Sequence, residues 1–302
     1  MVTNFRCEIL MATNRSFTGS NDTADEAVRS TCDDATVCKR VSCSLPMLTL
    51  PVPNFPLCQL MSVQAINGVV LLIGYYARVK AVNILLDAFI KKTSCNCQII
   101  NLGAGLDTTF WRLQDQNLLP KKYFEVDFPM IVMRKIHLIK TKPPLSKPII
   151  ETNSNSSLLI DGSNMDSDRY AIIGQDLRDL PALMERLKKF GLDTNLPTLL
   201  LAECVLVYIT PEKSTELIKW ASTTFHTTMF INYEQVNMTD RFGQVMIENL
   251  QRRQCHLAGV DICQTLDTQK NRFLLNGWDH ANAMDMMTVY NSLPQADIQR
   301  YV

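Results

Sequence analysis

The sequence lacks the short motifs that mark several large enzyme classes. It contains no G-x-S-x-G elbow, no G-x-x-x-x-G-K-[ST] phosphate loop and no H-E-x-x-H motif. These absences argue against an α/β-hydrolase, a P-loop enzyme and a zinc protease. The few histidines are scattered without metal-ligand spacing, so we expect each to be a surface or packing residue: His137, His226, His256 and His280.

The sequence also lacks an excess of charge and a paired-cysteine pattern. Lys plus Arg and Asp plus Glu number 30 each, giving a net charge of zero, so we predict no nucleic-acid partner. Ten cysteines occur without any C-x-x-C pair or signal peptide. We interpret them as reduced thiols of a cytoplasmic protein. Cys95 and Cys97 stand close together but lack the further ligands of a zinc site, so we predict no metal.

Charged residues are absent from residues 41–76. Residues 57–76 have the length of a membrane span, but the polar side chains of Gln59, Gln64 and Asn67 interrupt them. We therefore expect no membrane span here, and instead a partly buried or poorly structured segment. Together with the Ser-, Thr- and Asn-rich region before it, this divides the chain into a flexible arm or lid, an atypical segment and a core: residues 1–40, 41–76 and 77–302.

From residue 77 onward, short apolar runs alternate with helical patterns, which is typical of a doubly wound α/β sheet. We predict strands at residues 97–102, 123–127, 170–173, 198–207 and 229–233. We predict helices at residues 78–91, 108–119, 128–140, 181–190, 211–225 and 240–254, and a polar loop through 151–168. The predicted fold class is a Rossmann-like α/β fold whose mostly parallel sheet has helices on both faces.

A glycine-rich turn follows the first predicted strand. Gly103 and Gly105 stand where the backbone of such a fold approaches a ligand across the strand end. A nicotinamide fingerprint would have a third glycine where this chain has Thr108, so the turn suits a smaller adenosyl ligand better than a dinucleotide. Taken alone, the segment is also compatible with a bare structural turn.

Carboxylates follow or end the next strands. Asp127 stands about twenty residues after the glycines, where an acid can accept hydrogen bonds from ribose hydroxyls; Glu125 is the alternative, and either acid could simply cap a helix. Asp176 and Leu177 follow the third strand and could contact an adenine, although Asp176 could be an ordinary loop acid. Glu203 lies in an apolar run, where a carboxylate needs a partner, as a site residue or in a structural ion pair.

Four longer strings carry a resemblance to a known family: NLGAGLDTTFWR at 101–112, YFEVDFP at 123–129, AECVLVY at 202–208 and NYEQ at 232–235. In these strings the chain resembles the leucine carboxyl methyltransferase family. The resemblance implies the class I S-adenosylmethionine-dependent methyltransferase fold and S-adenosyl-L-methionine as cofactor. It also implies methylation of the C-terminal leucine carboxylate of the protein phosphatase type 2A catalytic subunit, by a monomer.

The resemblance further implies the cofactor-binding residues. Lys39 and Arg78 would hold the methionine carboxylate and Gly103 would line the turn. The remaining assignments are the ribose to Asp127, the adenine to Asp176 and Leu177, and the methionyl end to Glu203. No catalytic acid or base is predicted, because a terminal carboxylate is already ionised near neutral pH.

The sequence departs from the family pattern in two places. Residues 41–74 replace an aromatic, charged stretch that helps to form the lid and peptide entrance, and the sequence stops at Val302 before the usual last strand, which we therefore expect to be missing. Two alternatives follow. One is a catalytically silent variant that binds only cofactor or phosphatase, and the other is the related tRNA-modifying branch, whose extra repeat domain is absent here.

Overall fold

Seven strands form one sheet within residues 25–29, 31–32, 63–153 and 158–294, the parts of the chain that the computed structural model describes. The strands are β1 (Gln98–Leu102), β2 (Lys122–Asp127), β3 (Leu159–Asp161), β4 (Asn164–Asp166), β5 (Tyr170–Gly174), β6 (Thr198–Glu203) and β7 (Thr228–Tyr233). Their order is β3-β4-β5-β2-β1-β6-β7. All neighbours from β5 to β7 pair in parallel, whereas β4 pairs antiparallel with β3 and β5. The predicted mostly parallel sheet is confirmed.

Helices cover both faces of this sheet, as predicted. They are α1 (Val63–Lys92), α2 (Thr109–Asp115), α3 (Pro129–Thr141), α4 (Pro143–Glu151), α5 (Leu180–Lys189), α6 (Pro211–Thr224), α7 (Arg241–Arg252), α8 (Leu266–Leu274) and α9 (Met286–Ser292). Successive β1 residues alternate between two apolar layers, because side chains of a strand point to opposite faces. Ile99 joins the layer of α1, α2, α3 and α4, and Ile100 joins the layer of α5 and α6.

Several helix boundaries follow from capping residues that the sequence displays. The Thr210 side chain accepts a hydrogen bond from the Lys213 backbone N–H, and Pro211 occupies the first turn of α6. Asp240 caps α7 in the same way by accepting from the Gly243 N–H at 2.8 Å. Each cap satisfies a backbone donor that the helix leaves open, so these helices begin where the sequence predicted.

The first helix is longer than the sequence predicted. α1 runs without interruption from Val63 to Lys92, so residues 63–76 are helical. Of the two expected alternatives, the poorly structured segment is wrong for these residues, whereas the partly buried one agrees with the burial of Tyr75. The last proline before this helix is Pro56, and nothing between Val63 and Lys92 removes a backbone donor. Among the described residues, no helix combines the length and the hydropathy that a membrane crossing requires.

Three other boundaries differ from the prediction. The polar loop at 151–168 contains the β3–β4 hairpin, whose two-residue connection begins with Gly162 at φ +54°. Pro143 opens α4, a helix that lies beyond the predicted helix end at residue 140, because proline fits the first turn of a helix. β6 ends at Glu203, four residues early, and Cys204 adopts φ +58° before a 3-10 turn over Leu206–Tyr208. This left-handed residue turns the chain out of the strand.

A charged pair is buried where β2 packs against α3. The Lys135 ammonium contacts the Glu125 carboxylate and donates to the Asp107 carbonyl at 2.6 Å. Glu125 is 1% exposed, and burial raises its pKa to about 7 despite the neighbouring ammonium. The pair therefore ties α3 to the sheet and to the loop after the glycine turn.

Removing Lys135 should destabilise the protein more than removing both members of the pair. Lys135→Met leaves a carboxylate buried without its counter-ion, which costs about 3–5 kcal/mol of unfolding free energy. Urea unfolding of Lys135→Met and of Lys135→Met combined with Glu125→Gln measures this difference. We expect the double variant to recover at least about 1 kcal/mol of the loss. Equal losses in the two variants would show that the charge pairing is not the reason.

Candidate functional site

A cavity of about 580 Å³ opens at the carboxyl ends of the parallel strands, where open α/β sheets bind ligands. Six of the seven residues predicted to bind cofactor line it: Arg78, Gly103, Asp127, Asp176, Leu177 and Glu203. The seventh, Lys39, lies outside the described residues. The structure thus brings six positions, spread over 125 sequence steps from 78 to 203, around one cavity; the roles of the individual residues stay predictions.

The glycine turn after β1 is shaped by close backbone packing. Gly103 has φ +62°, and a Cβ there would stand 2.6 Å from Cγ2 of Val205. The Gly103 N–H donates to the Val126 carbonyl at 2.8 Å, and the Gly105 N–H donates to Oδ2 of Asp127 at 2.7 Å. A side chain at Gly103 would be strained and would collide with the cavity wall, so this position requires glycine.

Asp127 connects the glycine turn to the end of β2. Its two carboxylate oxygens accept the N–H groups of Gly105 and Phe128, each at 2.7 Å. Burial raises the pKa of this carboxyl group, and the two backbone donors oppose that shift. A carboxylate has about four acceptor positions, so two remain for hydroxyl groups in the cavity. Glu125, the alternative candidate, does not line the cavity and is paired with Lys135 instead.

A buried ion pair crosses the next part of the cavity. Nε of Arg78, on α1, lies 2.7 Å from Oε2 of Glu203, at the end of β6. Arg78 is 5% exposed, and its guanidinium carbon lies 4.5 Å from the centroid of the Tyr233 ring. The sequence predicted that Glu203 needs a partner, and the structure identifies it as Arg78. The pair places one fixed cation and one fixed anion side by side at the cavity wall.

The opposite end of the cavity is formed after β5. Leu177 is buried and apolar, whereas Asp176 is half-buried and held by the Arg178 guanidinium at 2.6 Å. Arg178 also reaches Asp25 at 2.8 Å, on the short helical segment 25–29. These two carboxylates raise the pKa of Arg178 above its ordinary value. Sequence reasoning missed this link, because nothing in a single sequence connects positions 25 and 178.

Glu234 is a second residue that sequence reasoning missed. It follows β7, and its carboxylate accepts the N–H groups of Val207 at 3.0 Å and Gln235 at 3.2 Å. Burial raises its pKa to about 7, an effect that these two backbone donors oppose most and the charges of Arg272 and Arg78 oppose less. Glu234 therefore fastens the loop after β7 to the turn after β6. Both connections line the cavity, through Tyr208 and Gln235.

The histidines take no part in this arrangement. All four are exposed on the surface, and none of them lines the cavity, which confirms the prediction that each is a surface or packing residue. Among the described residues, no group of three or more His, Cys, Asp and Glu side chains is arranged to hold a metal ion.

The fold and the site together define a class of protein. A parallel sheet with a glycine turn after β1, a carboxylate ending β2 and a cavity above the strand ends is the Rossmann-like arrangement that binds nucleoside-containing ligands. In this chain it takes the form of the class I S-adenosylmethionine-dependent methyltransferase fold.

Comparison with known proteins identifies the family. The family model described as leucine carboxyl methyltransferase matches residues 58–222. The chain is 57% identical to "Leucine carboxyl methyltransferase 1" of Bos taurus over 281 residues, 92% of this chain and 83% of that protein. The Rattus norvegicus protein of the same name is 57% identical over 283 residues, 93% of this chain and 84% of its own length. The chain belongs to the leucine carboxyl methyltransferase family.

A relative with a different name is more distant. "tRNA wybutosine-synthesizing protein 4" of Rattus norvegicus is 36% identical over 238 residues, which are 76% of this chain and 34% of that protein. Two thirds of that relative therefore have no counterpart in the aligned part of this chain.

The raised pKa of Glu234 predicts a pH-dependent contribution to stability. A carboxyl group whose pKa rises from 4.5 to about 7 on folding binds more protons in the folded state. Its contribution is therefore complete below pH 4.5 and is lost as the pH rises through about 7. Relative to Glu234→Gln, the wild-type protein should lose about 3 kcal/mol of unfolding free energy between pH 4.5 and pH 8.

Urea unfolding of both proteins across this pH range measures the difference. The exposed Glu185 on α5 offers a control, because Glu185→Gln should follow the wild-type profile. A constant difference between the wild-type protein and Glu234→Gln at all pH values would contradict the assignment.

Proposed function

We propose that this chain transfers a methyl group from S-adenosyl-L-methionine to the α-carboxylate of the C-terminal leucine of the protein phosphatase type 2A catalytic subunit. The products are a methyl ester and S-adenosylhomocysteine. The observation that carries the proposal is the convergence of six predicted binding residues on one cavity, in a chain of the leucine carboxyl methyltransferase family.

The residues around the cavity fit the proposed cofactor. A buried cation suits a methionine carboxylate, a buried anion suits the ammonium beside it, and the free acceptor positions of Asp127 suit ribose hydroxyls. At Gly103 the backbone passes so close to Val205 that there is no room for a Cβ. The proposed contacts are the methionine carboxylate with Arg78 and Lys39, the methionyl end with Glu203, the ribose with Asp127 and the adenine with Asp176 and Leu177.

S-adenosyl-L-methionine supplies an activated methyl group on its sulfonium when it is bound. The acceptor carboxylate is ionised near neutral pH, so the chain does not need to remove a proton from it. The remaining tasks are orientation and exclusion of water. Arg78 and Glu203 serve both tasks, because their own charges are already desolvated and are held in place by each other in the folded chain.

The apolar part of the cavity wall also favours the change in charge. The acceptor carboxylate becomes neutral when the ester forms, and an apolar wall disfavours the charged starting state more than the neutral product. Leu177, Val205 and Ile131 provide apolar surface in this cavity. The cavity therefore contributes by its shape and polarity, without an acid or base of its own.

Two further observations bear on substrate and location. The net charge of zero gives no general attraction to RNA, which favours a protein substrate over the tRNA of the more distant relative. The six described cysteines form no disulfide, which supports a cytoplasmic location.

The proposal is tested by transfer of labelled methyl from S-adenosyl-L-methionine to the purified phosphatase catalytic subunit. We expect label in the intact subunit and none in a subunit that lacks its terminal leucine, because the acceptor is the carboxylate of that residue. The label should be released by alkali, as an ester is. A folded chain that binds S-adenosylhomocysteine but transfers no label would instead be the catalytically silent variant.

Gly103→Ala should weaken binding of S-adenosylhomocysteine by at least about tenfold. The added Cβ would meet Val205 at 2.6 Å, and relieving this contact shifts the turn or the cavity wall by enough to cost about 1.4 kcal/mol or more of binding. Isothermal titration calorimetry measures the affinity.

Gly162→Ala is the matched control for this substitution. Gly162 has a similar φ of +54°, but a Cβ there meets nothing within 4 Å and the residue does not line the cavity. The control should lose stability through backbone strain and keep its affinity. Equal affinities in the two variants would show that the Gly103 turn is not part of the binding site.

A further inference from the structure

The cavity extends beyond the residues assigned to the cofactor. The assigned groups lie along the ends of β1, β2 and β5, together with the Arg78–Glu203 pair. The wall over the ends of β6 and β7 has no assigned role and is formed by Cys204, Val205, Tyr208, Ile209 and Gln235, with Met246 of α7. The side chains of this wall are mainly apolar, and Gln235 contributes its one amide group.

The Gln235 amide has an unsatisfied acceptor. Its Oε1 is buried and accepts no hydrogen bond from any residue that the structure describes. Its Nε2 lies 4.0 Å from Sγ of Cys204, a weak contact at most. Buried carbonyl oxygens in folded proteins nearly always have a donor. A polar atom left open in the wall of a ligand cavity is therefore suited to a donor that the ligand brings.

The position of Gln235 is fixed before any ligand arrives. Glu234 accepts the Gln235 N–H at 3.2 Å and the Val207 N–H at 3.0 Å, which joins the two connections that form this wall. The Cys204 N–H donates to the Tyr233 carbonyl at 2.7 Å, while Cys204 itself adopts φ +58°. Backbone conformations of this kind persist where the surrounding structure holds them, often at functional sites.

The acceptor of the reaction carries a matching donor. In a C-terminal residue, the Cα that bears the carboxylate also bears the backbone N–H. A carboxylate directed at the methyl donor beside Arg78 and Glu203 must therefore bring this N–H along, on the substrate side of the cavity. We propose that Oε1 of Gln235 accepts the backbone N–H of the substrate's terminal residue and so positions its carboxylate; the inference rests on the proposed function.

A double-mutant cycle between enzyme and substrate tests this contact. The phosphatase catalytic subunit is prepared by ligation with a synthetic tail that ends either in leucine or in N-methylleucine, which lacks the N–H. For the wild-type chain, N-methylation should raise KM about threefold to tenfold, the range expected for loss of one hydrogen bond. For Gln235→Met, the two substrates should have equal KM values, because no acceptor remains.

Two controls separate this contact from structural damage. Gln244→Met makes the same change on the exposed surface of α7, outside the cavity, and should keep the full effect of N-methylation. Calorimetric binding of S-adenosylhomocysteine should be unchanged in Gln235→Met. If Gln235→Met does not fold, Gln235→Leu gives the same cycle.

The possible outcomes distinguish the inference from the function on which it rests. Equal KM values for both substrates with the wild-type chain would overturn the role of Gln235 while confirming leucine methylation. A full N-methylation effect in Gln235→Met would overturn it as well, because the N–H would then be bound elsewhere. Absence of any transfer to the leucine substrate by a chain that binds S-adenosylhomocysteine would overturn both proposals.

Discussion

The buried ion pair between Arg78 and Glu203 is the contact on which the site depends. It joins the first helix to the end of β6 at 2.7 Å, and Tyr233 of β7 packs against the same guanidinium. Three elements from distant parts of the chain therefore meet at one charge. Neither charge could be buried alone at this depth, since loss of one partner from a buried pair typically costs about 3–5 kcal/mol. The position of the helix and the polarity of the cavity are thus set by the same interaction.

The other charges of the cavity are held by backbone groups. Asp127 accepts two N–H groups and Glu234 accepts two more. Because main-chain donors at strand ends have fixed positions, they orient each carboxylate without the entropy cost of a flexible side-chain partner. Such an arrangement suits a reaction in which alignment and desolvation, and not proton transfer, lower the barrier.

Much of the fold could be predicted because local signals agreed with the global arrangement. The buried apolar runs, the proline at the start of α6 and the Asp240 cap each specify their element within a few residues. The helix at 63–76 was missed because absence of charge is a weak signal, equally compatible with a buried, irregular or membrane segment. The β3–β4 hairpin was missed because its strands are three residues long and β3 is exposed, so they show no apolar alternation.

The site shows the same division between local and distant information. Gly103 and Asp127 could be located because their positions relative to strand ends follow from the chain itself. Glu203 was found by a different signal, a carboxylate inside an apolar run, although the predicted strand extended four residues past it. Arg178 and Glu234 could not, since their partners lie 153 residues away in one case and 27 in the other. Glu125 was a reasonable alternative to Asp127 on spacing alone. It faces Lys135 instead, because an acid that far inside the strand needs a counter-ion from a helix packed on the sheet.

Gln235 illustrates why the proposed substrate side of such a site is harder to predict from sequence than the proposed cofactor side. The residues proposed to bind the cofactor repeat a pattern imposed by the fold, whereas the wall over β6 and β7 depends on how two connections meet above the sheet. Here Glu234 makes that junction, because its carboxylate accepts one backbone N–H group from each of the two connections. The neighbouring amide keeps its oxygen open. Two adjacent, half-buried side chains thus have different roles in the proposed site: Glu234 fixes the wall, and Gln235 offers a buried acceptor oxygen.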